Sequence, residues 1–192
     1  YKRQLLSGTG IPNGRPFVAV SVRGWPGTGE FPRELARLCD HLHQAHGLEM
    51  LFLLMQPDKD REATRQVRER MSTPSYVLDA PCTPRELMGV LGKAKLCLAM
   101  RLHTLIFAAR MAVPSMGLVY DPKVDSYLRE LDLPAAGNVD QFDGGEAIRR
   151  ADQMLADYDG VLYRLKIRSG ELAQEARENE WLLLKLLEES KR

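Results

Sequence analysis

In this chain a few residues capable of chemistry stand directly after apolar runs. Arg23 follows Phe17 to Val22, Gln56 closes the run from Leu48, Arg101 and His103 follow Leu96 to Met100, and Asp121 and Lys123 follow Pro114 to Tyr120. A guanidinium grips a carboxylate or phosphate through paired N–H bonds, and an imidazole titrates close enough to neutrality to move a proton. In Met100-Arg101-Leu102-His103-Thr104 an apolar run gives way to a helical pattern. There the freed backbone N–H groups around Leu102 and the positive helix end would join Arg101 around an anion. The competing reading is that Arg101 pairs with a neighbouring acid and His103 caps a helix, because an isolated Arg-x-His is short and common. Lys123 is either a further anion contact or a solvated lysine. Asp121 serves equally as a helix cap, and Gln56 is either an acceptor contact or an ordinary loop residue.

The elements that must position these residues alternate along the chain. Phe17 to Val22 reads as a buried strand, and Gly24-Trp25-Pro26-Gly27 as the loop after it. Pro32 suits a first helical turn, Leu35, Leu38 and Leu42 recur at helical spacing, and Gly47 ends the pattern. Strands follow at Leu48 to Gln56, Ser75 to Asp79, Leu96 to Met100 and Pro114 to Tyr120. Helices fall between and after them at Arg61 to Met71, Pro84 to Ala94, His103 to Met111 and Val124 to Leu131. Thr83-Pro84-Arg85-Glu86 has the spacing of a capping box. Apolar strands alternating with helices make an α/β domain, a Rossmann-like doubly wound parallel sheet with right-handed crossovers. In such sheets ligands bind beyond the carboxyl ends of the strands, where Arg23, Gln56, Arg101, His103 and Lys123 fall. Residues from about 145 to 190 form an amphipathic helical region with a break expected at Asp159-Gly160, and its last piece carries Trp181, Leu182 and Leu186.

Composition narrows the function. With 192 residues, 44% hydrophobic and 28% charged, the chain can bury one core, and a net charge of +1 without clustering argues against a nucleic-acid surface. Cys39, Cys82 and Cys97 lack the spacing of a zinc or redox pair and are expected as reduced thiols of a cytoplasmic protein. The apolar runs are too short to span a bilayer. Residues 1–16 read as a linker from a preceding N-terminal domain, 17–160 as the Rossmann-like domain and 161–192 as a C-terminal amphipathic helix. His41, His43 and His46 share one helix, but helical spacing puts His43 and His46 on one face and His41 elsewhere, so no metal site is expected. The Gly24 to Gly29 stretch lacks a P-loop ending and reads as a mobile loop over the cleft, with Trp25 facing a sugar or packing on the loop.

The stretch from Met100 through Ala109, with Val113-Pro114 and Gly117-Leu118-Val119-Tyr120-Asp121-Pro122-Lys123-Val124, resembles the signature of polysaccharide pyruvyl transferases of the cell-wall-anchoring type. The likeness reaches back to Val18-Ala19-Val20-Ser21-Val22-Arg23 and covers most of the chain. It implies the C-terminal half of a glycosyltransferase-B-like enzyme that moves a pyruvyl group from phosphoenolpyruvate to a sugar of a cell-surface polysaccharide as a ketal, the acceptor being lipid-linked. No cofactor is implied. On this resemblance Arg101 and Arg23 hold the carboxylate and phosphate of the donor, with the backbone at Leu102 assisting. His103 transfers the proton, and Lys123 is a third phosphate contact. The N-terminal half would supply the other wall of the cleft, so the isolated half is expected to be inactive. Two alternatives stay open. One is the donor domain of a nucleotide-sugar glycosyltransferase, with Asp125 or Glu130 as its weak ribose carboxylates. The other is a non-catalytic binding domain on the same scaffold, with the C-terminal helix as its interface.

Overall fold

The computed structural model describes residues 2–26 and 29–189. Six parallel strands, β1 (Phe17–Ser21), β2 (Glu49–Leu53), β3 (Ser75–Leu78), β4 (Leu96–Ala99), β5 (Ser115–Val119) and β6 (Ala135–Asn138), form one sheet in the order β3-β2-β1-β4-β5-β6. β1 lies at the centre, with Ala19 opposite Leu51 on one side and Cys97 on the other. Because helices cover both faces, β1, β2 and β4 are buried at every position, and apart from Ser21 and Glu49 at two strand ends they read as apolar runs rather than as an alternation.

The helices are α1 (Lys2–Gly8), α2 (Phe31–His46), α3 (Pro57–Arg68), α4 (Pro84–Leu91), α5 (Leu102–Arg110), α6 (Pro122–Glu130), α7 (Gly144–Ala156) and α8 (Tyr158–Glu189). α2 packs against α3 and α7 on one face of the sheet, while α4, α5 and α6 make a connected row on the other. Their ends follow local chemistry. Gly47 ends α2 in the left-handed conformation at φ 64°, and Thr83 and Glu86 complete the expected capping box of α4.

Three expectations need correction. The sequence pointed to five strands. The sixth, Ala-Ala-Gly-Asn, lacks the β-branched signal and is held instead by pairing with β5, with a register irregularity at Gly117/Leu118. Part of the expected linker, Lys2–Gly8, is helical, Leu5 and Leu6 pack on the core, and Ile11 is buried. The break in the last helical region falls at Asp157 rather than at Asp159-Gly160, so α8 begins before residue 161 and its first turns, through Val161 and Leu165, belong to the core. Of the loop expected at Gly24 to Gly29, Gly27 and Thr28 lie outside the described residues, as does the Leu186 side chain.

Asp40, on α2, accepts hydrogen bonds from the backbone N–H and hydroxyl groups of both Ser72 and Thr73, fastening the loop before β3. Burial pushes its carboxyl up, but the bonds from Thr73 and Ser72 outweigh that and hold it below the usual carboxylate range. A folded-state pKa below the unfolded one stabilises the fold above the unfolded value, about 3.9, and this contribution is lost as pH falls through the folded value. Asp40→Asn is therefore expected to flatten the fall in stability below about pH 4, read from urea melts at a series of pH values. A Cβ at Gly117 would sit 2.3 Å from Cδ1 of the buried Leu128. Gly117→Ala should accordingly cost about 1–3 kcal/mol in the same melts at neutral pH, as overpacking does.

Candidate functional site

A cavity of about 520 Å³ opens at the carboxyl ends of β2, β3 and β4. Leu53 to Pro57 line it from the β2 side and Leu78 to Cys82 from the β3 side, while Arg101, His103 and Phe107 close it from the β4–α5 junction. This is the edge of the sheet at which parallel α/β domains take their ligands.

Arg101 is the N-cap of α5, with extended backbone, and its side chain does not cap the helix. It reaches across to the first turn of α3. There its Nε donates to Asp60 Oδ1 at 3.1 Å, its Nη2 donates to the same oxygen, and its Nη1 donates to Gln56 Oε1 at 3.0 Å. Asp60 is fully buried and the Arg101 side chain 11% exposed. The other carboxylate oxygen of Asp60 accepts from the Gln56 backbone N–H at 2.8 Å, closing the network at the start of α3. A guanidinium has five N–H groups, so three engaged here leave two for a ligand on its open side. Arg101 thus pairs with a neighbouring acid, as the plainer reading of the sequence had it, and the same pairing fixes where its remaining donors point. The first turn of α5 adds backbone N–H groups that have no partner within the helix.

His103 is exposed and faces the same cavity. Leu102, between them, packs partly against the core. Gln56 therefore joins Arg101 and His103 in one place, and Arg23 and Lys123 do not line that cavity. Arg23 lies one strand away, with its guanidinium carbon 5.4 Å from the centroid of the Tyr120 ring, and it borders a separate cavity of about 220 Å³. Its Nε is buried without a hydrogen-bond partner. Trp25 meets Tyr120 edge-on at 4.9 Å, so this corner is an aromatic cluster around a cation. Lys123 is exposed and lies 3.6 Å from Asp121, which caps α6 by accepting from the Lys123 N–H.

Two further cavity residues bear on the chemistry. Asp79 is held below the usual carboxylate range by its hydrogen bonds from Arg61 and so is charged at neutral pH. Cys82 is pushed up by burial and by nearby Glu86, which keeps it a neutral thiol rather than a nucleophile.

Asp60 is the residue that sequence reasoning passed over. Its signal was present: Asp60, Thr64 and Val67 recur at the spacing of one helical face, and all three are buried in an otherwise polar α3. A carboxylate on the core-facing stripe requires a cationic partner.

The model of the family described as polysaccharide pyruvyl transferase matches residues 4–122, which include β1, the Gln56–Asp60 turn, the Arg101–His103 turn and β5. The chain belongs to the polysaccharide pyruvyl transferase family. No curated protein matches it. Among solved structures it is similar to a UDP-GlcNAc 2-epimerase from Neisseria meningitidis bound to UDP-GlcNAc, at 12% identity and a TM-score of 0.64 over 92% of this chain and 49% of that one. It is also similar to a structure describing EarP-mediated arginine glycosylation of translation elongation factor EF-P, at 16% identity and a TM-score of 0.63 over 90% and 61% of the two chains. A third similar structure is the spinosyn rhamnosyltransferase SpnG, at 16% identity and a TM-score of 0.58 over 85% and 43%. This family member therefore shares the Rossmann-like fold of glycosyltransferase-B enzymes and epimerases, and it spans about half the length of the first of those chains. Among the described residues no helix is long and apolar enough to cross a membrane.

Removing the carboxylate would strand Arg101. Asp60→Ala should lower stability by about 3 kcal/mol, the low end for a broken buried pair because Arg101 can turn towards water. Denaturant unfolding of the two proteins measures this difference.

Proposed function

We propose that this domain binds phosphoenolpyruvate at the Arg101–His103 cavity and acts in transferring its pyruvyl group, as a ketal, to a sugar of a cell-surface polysaccharide. The observation that carries the reading is the oriented Arg101. Its Asp60 and Gln56 bonds leave two N–H groups beside the uncapped start of α5, a set of donors suited to a carboxylate or phosphate, in a chain of this family.

In this scheme Arg101 and the backbone N–H groups at Leu102 and His103 hold the anionic donor. His103 delivers a proton to the methylene carbon of the enol phosphate, which leaves the central carbon electrophilic. One sugar hydroxyl adds there, and a second displaces inorganic phosphate to close the ketal; the two hydroxyl protons balance the proton taken up and the one carried off. Arg23 and Lys123 are assigned to the phosphate. They rank behind Arg101, because neither lines its cavity. Gln56 is assigned to holding Arg101 rather than to the acceptor. The acceptor, proposed to be lipid-linked, would enter from the side that a companion N-terminal domain covers, and this chain is assigned the C-terminal half of a cytoplasmic enzyme of the cell-wall-anchoring type.

The test is phosphate release from phosphoenolpyruvate, with a lipid-linked sugar acceptor, by the natural protein that carries this domain. His103→Ala should lower kcat by about 100-fold or more, the usual range for a general acid. Unchanged turnover in that variant removes His103 from the scheme. Calorimetry that finds tight binding of a nucleotide sugar and no response to phosphoenolpyruvate would assign the cavity to nucleotide-sugar transfer instead.

A further inference from the structure

At the opposite end of the sheet from Arg101, α2 and α7 bring together residues that the proposed reaction does not use. His41 and His46, from the last turns of α2, both reach Asp152 of α7: their Nε2 atoms lie 2.8 Å and 2.7 Å from the same carboxylate oxygen, Oδ1. Helical spacing put His43 and His46 on one face and His41 elsewhere, whereas it is His41 and His46 that meet on Asp152. His43 turns instead to the start of β2, where its Nδ1 lies 3.1 Å from the Leu48 carbonyl and 3.7 Å from Glu49. The reason is reach. His46 is the final residue of its helix and His41 flanks it on the other side, so α7, packed alongside, places one acid between two rings that helical spacing alone would separate.

We propose that His41, His46 and Asp152 form a binding site for a divalent transition-metal ion of the zinc type, which bridges α2 and α7.

The donor atoms lie within 4.8 Å of one another. Zinc bonds of about 2.1 Å in a tetrahedral arrangement separate neighbouring donors by about 3.4 Å, so small side-chain rotations suffice to admit the ion. The ring centroids are 5.7 Å apart and the rings inclined at 70°, which leaves their Nε2 edges converging rather than stacked. Two imidazole nitrogens and one carboxylate oxygen suit zinc, nickel, cobalt or copper, whereas calcium and magnesium take mostly oxygen donors. The side chains are 29%, 30% and 43% exposed, so an ion arrives from solvent and keeps water in its remaining position. To bind, each neutral imidazole carries its proton on Nδ1 and offers the Nε2 lone pair. The ion then replaces two hydrogen bonds with coordinate bonds joining an early helix to a late one, a structural role remote from the donor cavity.

Zinc titration of the chain by calorimetry, with thermal melts at matched zinc concentrations, tests the site. The expected result is one ion per chain and a melting temperature that rises with zinc. Cobalt in place of zinc should give visible absorption bands of a low-coordinate site. Asp152→Asn and the double variant His41→Ala/His46→Ala should each weaken zinc binding on the order of 100-fold or more, and His43→Ala should leave it unchanged. The single variant His46→Ala serves if the double variant unfolds. Absence of binding at about 100 µM zinc, or binding that survives loss of His41 and His46, overturns the proposal.

Discussion

The ion pair between Arg101 and Asp60 is the interaction on which the candidate site depends. A buried carboxylate is tolerable only when its charge is met and its lone pairs are filled, and Asp60 achieves this with the guanidinium on one oxygen and the Gln56 N–H on the other. The pair contributes little net stability beyond what an apolar replacement would give, because the Coulombic gain is offset by desolvation. Its value is geometric. It joins the end of β4 to the start of α3 across β1, and it sets the rotamer of the cation that closes the cavity.

That arrangement also reconciles the two readings of Arg101 that the sequence left open. Pairing with an acid and binding an anion exclude each other only if one guanidinium edge does both. Here the Nε and Nη2 edge faces Asp60 and Nη1 faces Gln56, which leaves two N–H groups of a residue that lines the cavity unengaged by either partner. Arg23 shows the contrary case. Drawn over Tyr120 beside Trp25, it sits in an aromatic corner that no pattern of apolar runs would reveal.

Much of the fold was legible because its signals are local. The buried runs at β1, β2 and β4, the αL stop at Gly47 and the capping box at Thr83 each follow from residues within a few positions of one another. What was not legible rests on distant partners. β6 exists through β5, α1 through the core on which Leu5 and Leu6 pack, and the convergence of His41 and His46 through an acid more than a hundred residues away. The site was legible to the same degree. The strand-end rule grouped Gln56, Arg101 and His103, which line one cavity, with Arg23 and Lys123, which do not, because side-chain direction at a strand end is set by packing.

The central position of β1 carries a consequence for how the chain acquires this structure. One flank of β1 is filled by β2 within a few tens of residues, but the other waits for β4, whose Cys97 pairs with Ala19 only after two more strands and their helices have been made. Until then one border of the middle strand keeps its backbone N–H and C=O groups unpaired beside largely apolar side chains, the condition under which nascent parallel sheets associate wrongly or engage chaperones. The candidate cavity, built from residues on both sides of that border, cannot form until α5 has been made.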